Sequence, residues 1–160
     1  MTTYTFFFTE KNPFSQWYPC TFVVDGVTFN CAEQYMMYGK AVLFGDAAVG
    51  KEILAATHPK QHKALGRKVA NFDDAKWKAN REQIVAVGSR AKFTQNADLL
   101  KLLLETKGTE LVEASPYDRI WGIGLAATSE HANDPTKWRG QNLLGKILTK
   151  LRDELIASGA

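Results

Sequence analysis

The sequence predicts an α+β domain that is mostly helical, with a small N-terminal β-hairpin or sheet packed with helices. Three observations carry that expectation. Strand-like segments stand at the front, helical segments fill the middle and one further strand comes late, an order that does not alternate as a doubly wound sheet would. Asp25-Gly26 lies between two β-branched and aromatic runs, Thr21 to Val24 and Val27 to Phe29, which is a strong short-range hairpin signal. From Cys31 onward the apolar residues recur at helical spacing.

Taken in order, Tyr4 to Thr9 is aromatic and β-branched and reads as the first strand, and the hairpin around Asp25-Gly26 follows. Residues 32–44 carry Ala, Tyr, Met and Leu without proline, and Gly45-Asp46 supplies a stop and then a new N-cap. A second helix is expected over 47–56, broken by His58-Pro59. A third starts near Asp73 or Asp74 and reaches about Phe93, with Trp77, Ile84 and Ala91 along one stripe. Asn96 caps a short leucine-rich helix, Leu99 to Glu105, which Lys107-Gly108 ends. Thr109 to Ala114 resembles a buried strand. Gln141 or Asn142 opens the last helix, whose Leu144, Ile147, Leu148, Leu151 and Leu155 share a face. Residues 128–140 are polar and irregular, and loops of that length are often functional.

A chain of 160 residues is expected to be one domain, 1–160. Its 45% hydrophobic and 23% charged residues sit at the globular average and exclude wholesale disorder and fibrous repeats. No apolar run approaches the ~18 residues of a membrane span, and Met1 to Lys11 lacks the basic start of a signal peptide, so the expected location is cytoplasmic. Twenty Lys and Arg against seventeen Asp and Glu leave +3, so a bound anion must be held by local geometry, and packaging of duplex DNA is not expected. Cys20 and Cys31 form no CxxC pair and read as reduced thiols.

Several short motifs have a plain explanation. Gly122-Ile-Gly124-Leu-Ala-Ala127 matches a dinucleotide fingerprint, but a polar loop follows where the motif needs a helix. The glycines then serve a tight turn or a close backbone approach. His58 and His62 are four apart, yet Pro59 falls between them and no third ligand is near, so no metal is expected. No GxSxG elbow occurs and neither cysteine has a histidine nearby in sequence.

Glu33 and Lys40 are more informative. Seven residues correspond to about 700° of helix and about 10 Å of rise, so both project from one face with Met37 between them. Two solvated charges are the plain reading, but a charged pair sharing an otherwise apolar stripe also suits the wall of a cleft. Glu113 lies in an apolar strand-like run, where a carboxylate requires a partner. After it, Ser115-Pro116-Tyr117 turns the chain to present Asp118, with Trp121 three residues on. Two carboxylates beside an aromatic wall are what cleavage of a glycosidic bond uses: one acts on the leaving group or on water, the other balances an oxocarbenium-like charge. Trp121 is equally suited to fill the core.

Together these residues resemble the YbiA-like N-glycosidase family of the NADAR superfamily. The resemblance rests on Cys31-Ala32-Glu33-Gln34-Tyr35 through Lys40-Ala41, on Gly66-Arg67 followed by Trp77 and Arg81, on Leu111-Val112-Glu113 through Asp118, Trp121 and Gly122, and on Asn142 through Gly145 to Arg152. It implies an α+β, mainly helical fold and cleavage of a ribosyl C1′–N bond, in phosphoribosylated intermediates of riboflavin synthesis or in ADP-ribosylated guanine. The catalytic candidates it implies are Glu33, Lys40, Glu113 and Asp118. The substrate-binding candidates are Arg67, Trp77, Arg81, Trp121, Gly122 and Asn142, with the two arginines suited to phosphate and Asn142 placed to orient the glycine loop. No metal and no cofactor are implied. The partner is a small phosphoribosyl or ADP-ribosyl molecule, with ADP-ribosylated nucleic acid as a second class.

Two mechanisms fit the resemblance. Asp118 or Glu113 orients water while an acid assists the departing amine, or Lys40 attacks C1′ of a ring-opened ribose and forms a Schiff base. A competing reading is a non-catalytic module that binds ADP-ribose or a nucleotide, although ionisable residues fill all four catalytic positions. A third, nucleic-acid binding, rests on Arg90-Ala91-Lys92 and on exposed aromatics, against a small net charge.

Overall fold

Helices predominate, as expected for the α+β class: six of them accompany two small two-stranded sheets. The structure is a computed structural model that describes Met1–Ala160. The chain divides into two units, one made of Met1–Ser15 with Ala97–Ala160 and the other of Gln16–Asn96. No helix is long and apolar enough to cross a membrane.

In the first unit β1 (Tyr4–Phe7) pairs in parallel with β4 (Glu110–Glu113), Tyr4 opposite Glu110 and Phe7 opposite Glu113. The helices are α5 (Ala97–Glu105) and α6 (Leu143–Ala157). The leucine face of α6 is buried as its periodicity predicts, through Leu144, Leu148, Leu151 and Leu155, and α6 packs on β4. Close approach there requires Gly145, because a Cβ at that position would lie 2.1 Å from the Leu111 carbonyl oxygen. Val112, Ile123 and Leu125 form a buried cluster against which Tyr4, Phe6 and Trp138 pack. Arg152 is buried but satisfied: Nη1 donates to the Thr106 carbonyl at 2.9 Å and Nε to Asp153 at 3.0 Å.

The second unit holds the hairpin β2 (Phe22–Val24) and β3 (Val27–Phe29). Asp25 and Gly26 both take positive φ, 50° and 78°, which is the double left-handed turn that Asp-Gly favours. Four helices follow: α1 (Ala32–Leu43), α2 (Ala47–Ala55), α3 (Pro59–Gly66) and α4 (Asp74–Thr94). Helix α1 is the hub and packs on the other three. Its contacts depend on small partners, since a Cβ on Gly66 would sit 2.0 Å from the Met37 sulfur and one on Gly88 would sit 2.5 Å from the Tyr35 ring.

Two features depart from the sequence-based expectation. His58-Pro59 ends α2 but also starts α3, because Pro59 occupies the first turn, where a missing N–H costs nothing, and His58 Nδ1 accepts from Lys60 N–H. On α4 the Trp77, Ile84 and Ala91 stripe is only half-buried. The buried face runs instead through Arg81, Val85, Gly88, Ser89, Lys92 and Phe93, a helical face that polar side chains disguise in sequence. Lys92 is therefore no part of a surface basic cluster. The Gly122 to Ala127 segment lies in irregular chain with no helix directly after it, so the dinucleotide geometry is missing.

Burial pushes the Lys92 amine down to about 8, against the opposing pull of Cys20 and Cys31. A lysine whose folded pKa lies below its unfolded value costs stability while it is protonated, and that cost disappears as pH rises through the interval between the two values. Lys92→Met is expected to stabilise the protein at pH 7 by about 1–3 kcal/mol. The gain should shrink steadily above pH ~8. Urea unfolding from pH 6 to 10 measures it, and an equal effect at every pH would contradict the assignment.

Candidate active site

Helix α1 is tied down at its start by a buried polar network. Cys31 is its N-cap, and its sulfur accepts the Gln34 N–H at 3.4 Å. Gln34 is 2% exposed; its Oε1 accepts from Asn30 N–H at 2.7 Å and its Nε2 donates to the Ile53 carbonyl at 3.0 Å. His62, distant in sequence, reaches Cys31: Nδ1 lies 3.6 Å from Sγ, and Nε2 lies 3.0 Å from the Ala56 carbonyl. A carbonyl can only accept, so Nε2 carries the proton and Nδ1 accepts from the thiol. Burial pushes the Cys31 thiol up to about 11, which makes it an inert cap rather than a nucleophile.

With its start fixed, α1 presents Glu33 and Lys40 from the same helix. Glu33 is buried, and its backbone N–H donates to the Gln16 carbonyl at 2.9 Å. Lys40 is half-buried. Its Nζ lies 4.7 Å from the centre of the Phe72 ring and 5.6 Å from that of Trp77. Burial, and then the nearby Arg67 guanidinium, lower the Lys40 pKa below the ordinary lysine value, while Glu33 acts in the opposite direction. The structure thus brings Glu33, Lys40, Arg67 and Trp77 together. Arg67, at the C-cap of α3, is exposed, whereas Arg81 lies on the buried face of α4.

The remaining candidates belong to the first unit and surround the end of β4. Glu113 is its last residue and is half-buried. Asp118 closes the turn that follows: Oδ1 accepts from the N–H groups of Ile120 and Trp121, each at 2.9 Å. Gly122 is needed for close packing, because a Cβ there would meet the Glu113 carbonyl oxygen at 2.9 Å and that of Asp118 at 3.1 Å. Asn142 is buried; Oδ1 accepts from Glu113 N–H at 3.0 Å and Nδ2 donates to the Leu111 carbonyl at 3.1 Å. Its backbone N–H donates to the Gly122 carbonyl at 3.0 Å. Asn142 therefore positions both Glu113 and the glycine loop from one residue, and its amide is committed to that task.

Sequence reasoning missed Phe72, an exposed aromatic in a loop, and the pairing of His62 with Cys31. Only an aromatic stranded between Asn71 and Asp73 hinted at the first. The 128–140 segment is well fixed: Asp134 caps the short 3-10 turn Pro135–Lys137, and the Trp138 indole donates to the Ala132 carbonyl at 2.8 Å. A groove of about 610 Å³ runs along β4 and α6, past Leu111, Trp138, Asn142 and Lys146. Glu110, Lys150, Asp153 and Glu154 also line it, and none of the four catalytic candidates does.

Comparison with known proteins connects these features. The NADAR domain family matches residues 5–156. An N-glycosidase of Acanthamoeba polyphaga mimivirus is 48% identical over 146 residues, covering 88% of this chain and 86% of that protein. A riboflavin biosynthesis protein of Vibrio vulnificus is 31% identical over 141 residues, which make up 88% of this chain but only 35% of that protein. The NMR structure of Escherichia coli YbiA superimposes with a TM-score of 0.80 at 30% identity, covering 99% of this chain and 88% of that one.

Asn142 takes a left-handed conformation, φ 52° and ψ 40°, while making both side-chain hydrogen bonds. Asn142→Ala is expected to destabilise the fold by about 2–4 kcal/mol, from two lost buried partners and left-handed strain. Asn142→Gly should recover only the strain. Chemical denaturation of both variants checks this, and an effect of Asn142→Ala below about 0.5 kcal/mol would remove the clamp.

Proposed function

The chain belongs to the NADAR domain family, and we propose that it is an N-glycosidase that hydrolyses a ribosyl C1′–N bond. The observation that carries this reading is the Lys40 amine. It is half-buried between two aromatic rings, beside a guanidinium that loosens its proton, and on the same helix as the buried carboxylate of Glu33. Such an amine is a poised nucleophile, and the mimivirus relative is named an N-glycosidase.

The reaction runs through Lys40. Ring opening of the ribosylamine leaves C1′ doubly bonded to nitrogen. The neutral amine adds to C1′, the original C1′–N bond breaks and the departing amine leaves with a proton. Water then adds to the remaining imine, and the sugar aldehyde is released with Lys40 restored. Glu33 moves protons on and off Nζ. Arg67, exposed near Lys40, holds the phosphate of the substrate, for which its planar fork is well shaped, and Trp77 forms a wall. Arg81, on the buried face of α4, is the second phosphate candidate. In the first unit Glu113 and Asp118 remain catalytic candidates, with Trp121 and Gly122 as substrate contacts; Asp118 uses Oδ1 for its turn and has Oδ2 for chemistry.

The substrate class favoured is a phosphoribosylated amine of the riboflavin route, supported by the name of the Vibrio relative. ADP-ribosylated guanine, free or in nucleic acid, is the second class. A cytoplasmic location belongs to the same proposal, in keeping with two free thiols.

Incubation with early riboflavin intermediates, NAD and ADP-ribosylated guanine, followed by chromatography of the products, tests the reading. Release of ribose phosphate or ADP-ribose is expected from one of them, and turnover of none would overturn it. Lys40→Ala should abolish that turnover with unchanged circular dichroism, and Asp118→Ala should reduce it by about 100-fold or more. Arg67→Ala should chiefly raise KM, and a fall in kcat alone would contradict its phosphate role.

A further inference from the structure

Phe72 is 47% exposed, yet its surroundings hold it firmly. It stands in the short connection between α3 and α4, where Asn71 adopts φ 61° to turn the chain. On one side Ala70 N–H donates to the Asp46 carboxylate at 2.8 Å. On the other, Asp73 caps α4 by accepting from Ala75 N–H at 3.1 Å. The ring packs edge-on against Phe44, with centroids 5.4 Å apart at 62°. A large apolar side chain is thus kept at the surface by a left-handed residue and two anchoring carboxylates, and what it meets there is the Lys40 ammonium at 4.7 Å.

We propose that Phe72 is a positioning residue for Lys40: its ring face, with that of Trp77, holds Nζ in one place and favours its charged form until the substrate arrives. The ring quadrupole attracts a cation over its face without offering it a hydrogen bond. The ammonium is therefore fixed without being locked in an ion pair, and it keeps all its donors for the incoming group. The charged groups that act on Lys40 are Glu33 of its own helix and Arg67 at the end of α3. From α4, Lys76 lies over Phe44, one ring further away, and on the α2 side Asp46 is engaged by Val49 and Ala70 N–H. Phe72 thus acts in the same direction as Glu33, against burial and Arg67, which lower the Lys40 pKa.

The role of Phe72 in turnover rests on the glycosidase reading, but its effect on the amine does not. The test is an NMR titration of the Lys40 side-chain resonances in substrate-free protein, for the wild type, Phe72→Leu and Phe72→Trp. Leucine keeps the bulk and removes the ring face, so the Lys40 midpoint should fall by about half a pH unit. Tryptophan should restore it. An unchanged midpoint in Phe72→Leu, or a fall that Trp does not reverse, would overturn the proposal. In steady-state assays on the alkaline side of both Lys40 midpoints, where the amine is neutral in both proteins, Phe72→Leu should lower kcat several-fold with little change in KM; a rise in KM alone would make Phe72 a simple substrate contact and end the positioning role. A wild-type protein without turnover would defeat the glycosidase reading and leave the titration result standing.

Discussion

The amide of Gln34 is the joint on which the second unit turns. It ties the end of the hairpin, through Asn30, to the end of α2, through Ile53, at the first turn of α1. Beside it the Cys31 thiol caps α1 and contacts His62 of α3. A buried polar network of this kind is favourable only when every member is satisfied, and here the proton on His62 Nε2 and the acceptor at Nδ1 fit their neighbours. Fixing the start of α1 fixes the direction of the whole helix. Glu33 and Lys40 inherit their places from it.

In the proposed mechanism the chemistry depends on a contest at Lys40. Burial and Arg67 favour the neutral amine, whereas Glu33 and the faces of Phe72 and Trp77 favour the cation. In the proposed mechanism this amine serves as nucleophile and proton carrier in turn, a versatility that a lysine paired tightly to a carboxylate would lack. The first unit has its own logic: Asn142 links β4, the glycine loop and the start of α6, and this holds Glu113 and the Asp118 turn in register.

What was legible in the sequence was local. The Asp25-Gly26 turn, the span of α1 and the shared helix of Glu33 and Lys40 follow from backbone preference and periodicity, which act within a few residues. The parallel pairing of Tyr4 with Glu110 was not legible, because no local signal specifies a partner so far along the chain. Neither was the contact of Cys31 with His62. Helix α3 was hidden by a proline that reads as a break and acts as a start. The buried face of α4 was hidden by Arg81, Ser89 and Lys92, whose polarity imitates a solvent face. Phe72 escaped notice because an aromatic in a loop is ordinarily assigned to a core, and only its distance to Lys40 gives it another task.

If Lys40 is the nucleophile, its amine becomes covalently attached to the sugar during turnover. Addition of borohydride during turnover, followed by proteolysis and mass spectrometry, reads this directly. A stable sugar adduct is expected on the peptide that contains Lys40, formed only when substrate and reductant are both present. Undiminished turnover with no adduct on that peptide would contradict it, and would leave water activated by a carboxylate as the route to the same products.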